Sequence, residues 1–248
     1  MPDALADVWT VAWKEFKEYF ANRGGLRGGT LGVLLLMAVI SIFLPLQAGK
    51  AWVQSPMLLM YWAWVPLLLV TSVIADSFAG ERERHTLGTL LASRTSDKAI
   101  LFGKIGAGVG YGWGFSLVSL LLALVTVNIT HGHGQLLLYS PPVAVGIVGL
   151  SLLGATLAAS AGVLVSLRAA TVKQAQQILS MAMMLVAIVP LLGLQALSKQ
   201  WQDRLARWIA SAGLMRVVLT AMAVLGVLDA LLLAAAKARF KRARLILD

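Results

Sequence analysis

From Lys104 to Arg168 the chain runs for 63 residues without a Lys, Arg, Asp or Glu. A bilayer crossing takes about 20 residues, at ~1.5 Å per residue across a ~30 Å hydrocarbon core. The run is too long for one span and holds two. Asn128, the His131-Gly132-His133-Gly134 segment and the Pro141-Pro142 pair divide it, because such residues punctuate helices. The two spans then cover about 104–128 and 142–167.

The same rule applies along the rest of the chain. Between Arg27 and Lys50 lie 22 uncharged residues, which make a first span, and a second runs from about Pro56 to Asp76. Gln174 to Leu194 makes a fifth and 214–236 a sixth. With 59% hydrophobic residues, 13% charged and a mean hydropathy of +0.82, the chain is far from a soluble domain, which carries about a quarter charged residues. The expected fold is an all-α polytopic membrane protein with six transmembrane helices in a single unit, residues 1–248.

A net charge of +10 would point to nucleic acid in a soluble chain, so the location of the basic residues decides. With both termini placed inside, the N-terminal segment, the 77–104 loop, the 167–174 turn and the tail hold 16 of the 21 basic residues. That is the positive-inside pattern, and it accounts for the charge without nucleic acid. The expected location is the plasma (inner) membrane, multi-pass, with both termini cytoplasmic. Cysteine is absent, which excludes thiolate metal sites and cysteine nucleophiles. The N-terminus, with Asp3 and Asp7, lacks the basic start of a cleavable signal, so the first span is expected to serve as the insertion signal.

Four polar segments punctuate the spans. Over residues 4–21, Leu5, Val8, Trp9, Ala12, Phe16, Tyr19 and Phe20 fall on one helical face, with Asp7, Lys14, Lys17 and Glu18 largely opposite, as in an interfacial helix. Gly24, Gly25, Gly28 and Gly29 supply a bend into the bilayer. Residues 80–94, GERERHTLGTLLASR, form a charged island. Glu81, Arg82, Glu83 and Arg84 alternate in sign, and Leu87, Leu90 and Leu91 then share one face of a short helix with Thr86 and Thr89 beside them. That face needs cover, from the bundle itself or from a protein partner. Ser96 and Asp97 read as an N-cap and a first-turn acid. Residues 196–211 place Leu197, Trp201, Leu205, Trp208 and Ile209 against Lys199, Asp203, Arg204 and Arg207, a second interfacial helix, and 237–248 is a basic tail. Gly106, Gly108, Gly110, Gly112 and Gly114 put small residues on more than one face of span three, which invites close helix packing.

Catalytic chemistry finds little support. Neither GxGxxG nor GxxxxGK followed by Ser or Thr occurs, so the glycines of span three are no nucleotide site and the chain is expected to hold no cofactor. His131 and His133, without a carboxylate nearby, fall short of a metal site. No Ser, His and Asp arrangement or carboxylate pair lies at a span end. Asp229 is the one acid well inside a predicted span, and a buried charge in lipid is costly enough to suggest a role or a basic partner.

The start VAWKEFKEYFANR, six spans, and IADSFAGERERHTLGTLLASRTSDKAILFGK after span two resemble the ABC-2 type permeases, the membrane subunits of type V ABC exporters. The likeness covers essentially the whole chain. It is most specific over residues 76–104, with Glu81, Thr86-Leu87, Leu90-Leu91 and Gly103-Lys104 in place, while Arg94 and Thr95 stand where many members have a proline.

The resemblance implies a permease that is not itself an enzyme, with ATP and Mg bound by a separate cytoplasmic ABC ATPase. It implies that 80–94 is a coupling helix meeting that ATPase through Glu81, Arg82, Glu83, Thr86, Leu87, Leu90 and Leu91, and that 4–21 is an elbow helix. Two copies, or this chain and a related one, would enclose a path lined by spans two and five, with Tyr61, Trp64, Gln177, Met181 and Met184 as candidates. The 196–211 segment would gate the path outside through Trp201 and Trp208, in contact with membrane lipid. Family members move diverse cargo, and the sequence names none. A non-transporting subunit that transmits ATP-driven motion is the competing class; short outer loops favour transport.

Overall fold

The computed structural model describes residues 2–21, 30–56, 58–93 and 95–240. The glycines at 24, 25, 28 and 29, Arg94 and the tail from Lys241 lie outside them, as do the side chains of Tyr61 and Leu91. The described residues are helical, without strands: α1 (Pro2–Ala21), α2 (Thr30–Ala38), a π-helical turn (Val39–Phe43), α3 (Leu44–Ala48), α4 (Ala51–Gln54), α5 (Leu58–Ile74), α6 (Asp76–Glu83), α7 (Leu87–Ala92), α8 (Asp97–His131), α9 (Pro141–Ser166), α10 (Val172–Ala196) and α11 (Lys199–Arg239). Five helical stretches among them are long and apolar enough to cross a membrane: Leu31–Ala48, Trp62–Glu83, Asp97–His131, Pro141–Ser166 and Ser211–Arg239.

Helix α5 is the centre of the bundle, with α8 on one side and α9 on another. Glycines allow both approaches. A Cβ on Gly112 of α8 would lie 2.4 Å from Val70 Cγ2, and one on Gly162 of α9 would lie 2.0 Å from Ile74 Cγ2. Gly106, Gly110 and Gly114 have open space instead, so only one of the glycine faces of α8 is used for packing on α5. Helix α1 lies along α8 and α11 along α9. Gly213, with φ 73° and ψ 151°, breaks α11 into a short arm, 199–212, and a long one, 214–239.

Proline shapes the first span. Pro45 has no N–H to give the carbonyl four residues back, that of Ser41. Thr126 of α8 donates to that carbonyl at 2.9 Å, so the π-helical turn is tied to α8 where its own ladder is interrupted. Helix α8 starts where Ser96 caps it, the Ser96 Oγ accepting from the Ala99 N–H at 3.2 Å. In the last turn of α8, Asn128 clasps the following loop, accepting from the Leu137 N–H and donating to its carbonyl at 2.7 and 2.8 Å.

Two stretches differ from the sequence reading. The second span does not end at Asp76: after a break at Ala75 the chain continues helical through Glu83. The charged island is therefore two helices, the end of α6 and α7, separated by His85 at φ 57°. The amides of His85 and Thr86 close back on the carbonyls of Arg82 and Glu81, the hydrogen-bond pair of a Schellman motif.

Candidate functional site: the α6 junction

Helix α6 emerges from the central span and meets four other segments within eight residues. Its first turn has free amides, as every helix start does, and Ala75 before it has no side chain to cap them. Ser166 at the end of α9 supplies the cap across the fold. Its Oγ accepts from the Phe78 and Ala79 amides at 3.0 and 2.9 Å and donates to the Ala75 carbonyl at 2.9 Å. The break between α5 and α6 is thus held by a neighbouring helix.

The charges of the island point into the fold. Arg82 donates to the carbonyls of Leu167, at 3.0 Å, and Ala169, the free acceptors just past α9. Glu83 accepts from the Val172 amide at 3.0 Å, at the first residue of α10. A cation thus sits at the C-terminus of one helix and an anion at the N-terminus of the next, each complementing the local helix dipole. Together they clamp the turn between α9 and α10, whose Thr171 also caps α10 by accepting from Gln174 N at 3.1 Å. Arg84 folds back on Asp76 with contacts of 3.2–3.3 Å.

Glu81 is 5% exposed and accepts from the Thr86 hydroxyl, with Lys14 and Lys104 each 3.6 Å away. Lys104, two turns into α8, is fully buried. Its Nζ donates to Glu15 Oε1 at 2.6 Å and to the Ser77 carbonyl at 2.7 Å, and lies 5.2 Å from the centre of the Phe78 ring. Burial pushes the Glu15 carboxyl above its ordinary range despite Lys104 beside it. Burial opposes the charge on Lys14, yet Glu81, Glu18 and Glu15 raise it on balance. Carboxylate oxygens of Glu15, Glu18 and Glu81 come within 4.8 Å of one another, a spacing that could hold a cation. Two ammonium groups already fill that role: Lys104, and Lys14 at 3.3 Å from Glu18.

One face of α7 turns inward as well. Leu87 is buried in the core around Ile74 and Phe78, and Leu90 packs against it. Gly88, Thr89 and Ala92 are exposed. Of the two covers open to this leucine face, the structure shows the chain's own bundle for Leu87 and Leu90.

The family model for the ABC-2 type transporter matches residues 6–227. The chain belongs to the ABC-2 type transporter family. It is a multi-pass membrane permease component of ABC transporters, the non-catalytic part of such a system. No curated protein matches it significantly.

In this permease the remaining predicted residues are spread over the bundle. Trp64 packs half-buried against the core, whereas Gln177, Met181 and Met184 stand exposed on α10. Trp201 and Trp208 are exposed on the short arm of α11, with the Arg204 guanidinium 5.0 Å from the Trp201 ring. His131 bonds Thr130 at 2.7 Å and joins no metal-binding cluster among the described residues. Asp229 is buried, and among the described residues its carboxylate has no hydrogen-bond partner. On α1 the buried face is Val11, Glu15 and Tyr19, while Trp9 and Trp13 stack outward with ring centres 6.2 Å apart. Sequence reasoning missed Glu15 and Ser166, and named Lys104 in the Gly103-Lys104 match without giving it a role. Glu15 carried a signal, since it lies four residues from both Val11 and Tyr19 and so interrupts an apolar stripe with an acid.

Proposed function

We propose that this permease is one half of an exporter, assembled as two copies and driven by a separate cytoplasmic ATPase that binds ATP and Mg. The observation that carries the reading is the clamp of Arg82 and Glu83 on the α9–α10 turn. A partner can drive a conformational change only by binding two states of the permease differently, through an element tied to the spans. Here α6, α7 and the 167–172 turn are bonded to each other and, through Ser166, Lys104 and Lys14, to α9, α8 and α1. A push on the exposed side of α7 therefore reaches several helices together. Glu81, Arg82 and Glu83 act as the internal fastening, and Gly88, Thr89 and Ala92 offer the docking face.

In this reading α10, with 25 residues, also crosses the membrane as the fifth of six spans, and both termini lie on the cytoplasmic side. The exposed apolar face of α10, from Ile178 through Met181, Leu185 and Val189 to Leu192, meets the second copy. Tyr61, Trp64, Gln177, Met181 and Met184 lie along the path, and the 199–212 arm with Trp201 and Trp208 forms its outer gate. Purification from native membranes tests this directly: ATP hydrolysis should copurify with the permease and be lost with Thr89→Arg. An Arg82→Ala/Glu83→Ala chain should keep the ATPase bound but no longer respond to ATP with a change of distance between labels on α7 and α10. Retention of ATPase by the Thr89→Arg permease would overturn the docking assignment.

A further inference from the structure

Asp229 lies in the long arm of α11, is 4% exposed, and among the described residues neither carboxylate oxygen has a hydrogen-bond partner. Among the described residues its surroundings offer no counter-charge. Helix α9, against which α11 packs, has no Lys, Arg, His, Asp or Glu from Pro141 to Ser166. On α11 itself the nearest cation on the N-terminal side is Arg216, about 20 Å away along the axis at ~1.5 Å per residue, and on the C-terminal side Lys237, about 12 Å away, followed by Arg239. Helix α6 meets the end of α11 through Phe78 and Phe240, but its charges are committed elsewhere: Asp76 to Arg84, Glu81 to Thr86 and two lysines, Arg82 and Glu83 to the α9–α10 turn. Lys173 at the start of α10 is exposed.

The seam itself is tight. A Cβ on Gly146 would sit 3.3 Å from Val218, and one on Gly149 only 2.2 Å from Met222. This register runs parallel, and two further turns bring Asp229 beside the second half of α9, where the Ser160 hydroxyl is also fully buried and unpartnered. A bare carboxylate cannot persist in such a place, because an unpaired buried charge neutralises before it pays full desolvation. A metal cation would need several more oxygen ligands. A proton needs none.

We propose that Asp229 is a proton-binding site, occupied while α11 packs on α9 and emptied when that seam opens. Closed, the side chain is a neutral carboxylic acid. Opening admits water, the O–H bond breaks, the proton passes to water and the carboxylate remains solvated; closing reverses the transfer. Movement of the last span is thereby linked to uptake and release of one proton.

Infrared spectroscopy of the full chain in lipid nanodiscs tests this. At neutral pH the spectrum should show the C=O stretch of a protonated carboxyl group, lost in Asp229→Asn, displaced in Asp229→Glu and unchanged in Glu15→Gln. The chain lacks cysteine, so Ser160→Cys gives a single thiol to report on the seam. Measured against the same thiol in the Asp229→Asn chain, where thiolate formation alone sets the pH dependence, its alkylation should gain a further rise at high pH as the carboxyl band disappears. Absence of the band at neutral pH, its persistence in Asp229→Asn, or seam opening with the band intact would each overturn the proposal. Should Asp229→Asn not fold, the parallel loss of band and of protection beyond thiolate formation in the Ser160→Cys chain decides alone.

Discussion

Lys104 Nζ lies 2.6 Å from Glu15 Oε1, and with both side chains sealed from water the pair locks α1 onto α8 inside the protein. Helix α1 is amphipathic and could have lain free on the surface. The buried pair, together with the Ser77 carbonyl on the same ammonium, makes it part of the junction that also receives α6.

Removing one partner leaves the other buried and uncompensated. Lys104→Met or Glu15→Leu alone should therefore cost about 3–5 kcal/mol, while the double variant, which removes both charges, should cost much less than the sum. Denaturant unfolding of the four chains in one detergent measures the coupling. Strict additivity would show that the two groups do not act as a pair.

The same cluster sets a pH dependence. A carboxyl held above its ordinary value, 4.5 for Glu15, binds more protons in the folded than in the unfolded chain, so stability falls as pH rises from there through the raised value. Lys14 is also raised, from 10.5, so its contribution is full below that pH and fades as pH climbs through the higher folded value. Glu15→Gln should flatten the acid-side slope and Lys14→Met the alkaline one. Unchanged slopes in both variants would refute the assignment.

Ser166→Ala should strand the Phe78 and Ala79 amides, both buried, at the break between α5 and α6. An unsatisfied buried donor costs about 1–3 kcal/mol, so a loss of at least that size is expected, with recovery in Ser166→Thr, which restores the oxygen. Hydrogen exchange at these two amides locates the effect: they should exchange faster in the alanine variant, ahead of the rest of α6.

Much of the fold was legible because it is local. The long apolar helices, the Ser96 cap and the amphipathic α1 follow from runs and periods within one helix, though not where the second span ends. The junction was not legible because its bonds join residues far apart in sequence: Glu15 to Lys104 across 89 positions, Phe78 to Ser166 across 88, Glu83 to Val172 across 89. Alternating charges in GERER look the same whether they face solvent, a partner or two helix ends. The apolar face of Leu87 and Leu90 is likewise neutral as to what covers it, and in this chain the bundle does.

His85 offers the last test, at the joint between α6 and α7. It occupies the left-handed position of the Schellman motif at φ 57°, where a Cβ crowds the following carbonyl at a cost of about 1–2 kcal/mol. Its exposed side chain contributes no core packing. His85→Gly should therefore stabilise the folded chain by about 0.5–1 kcal/mol, part of the relief being offset by the greater entropy of glycine in the unfolded chain. His85→Val, with a branched Cβ, should destabilise by a comparable amount or more. A firmer joint also transmits force between α7 and the spans with less loss, so in the proposed exporter the glycine variant keeps its response to ATP. A destabilised His85→Gly chain would mean that the imidazole, and not the backbone turn, holds the joint.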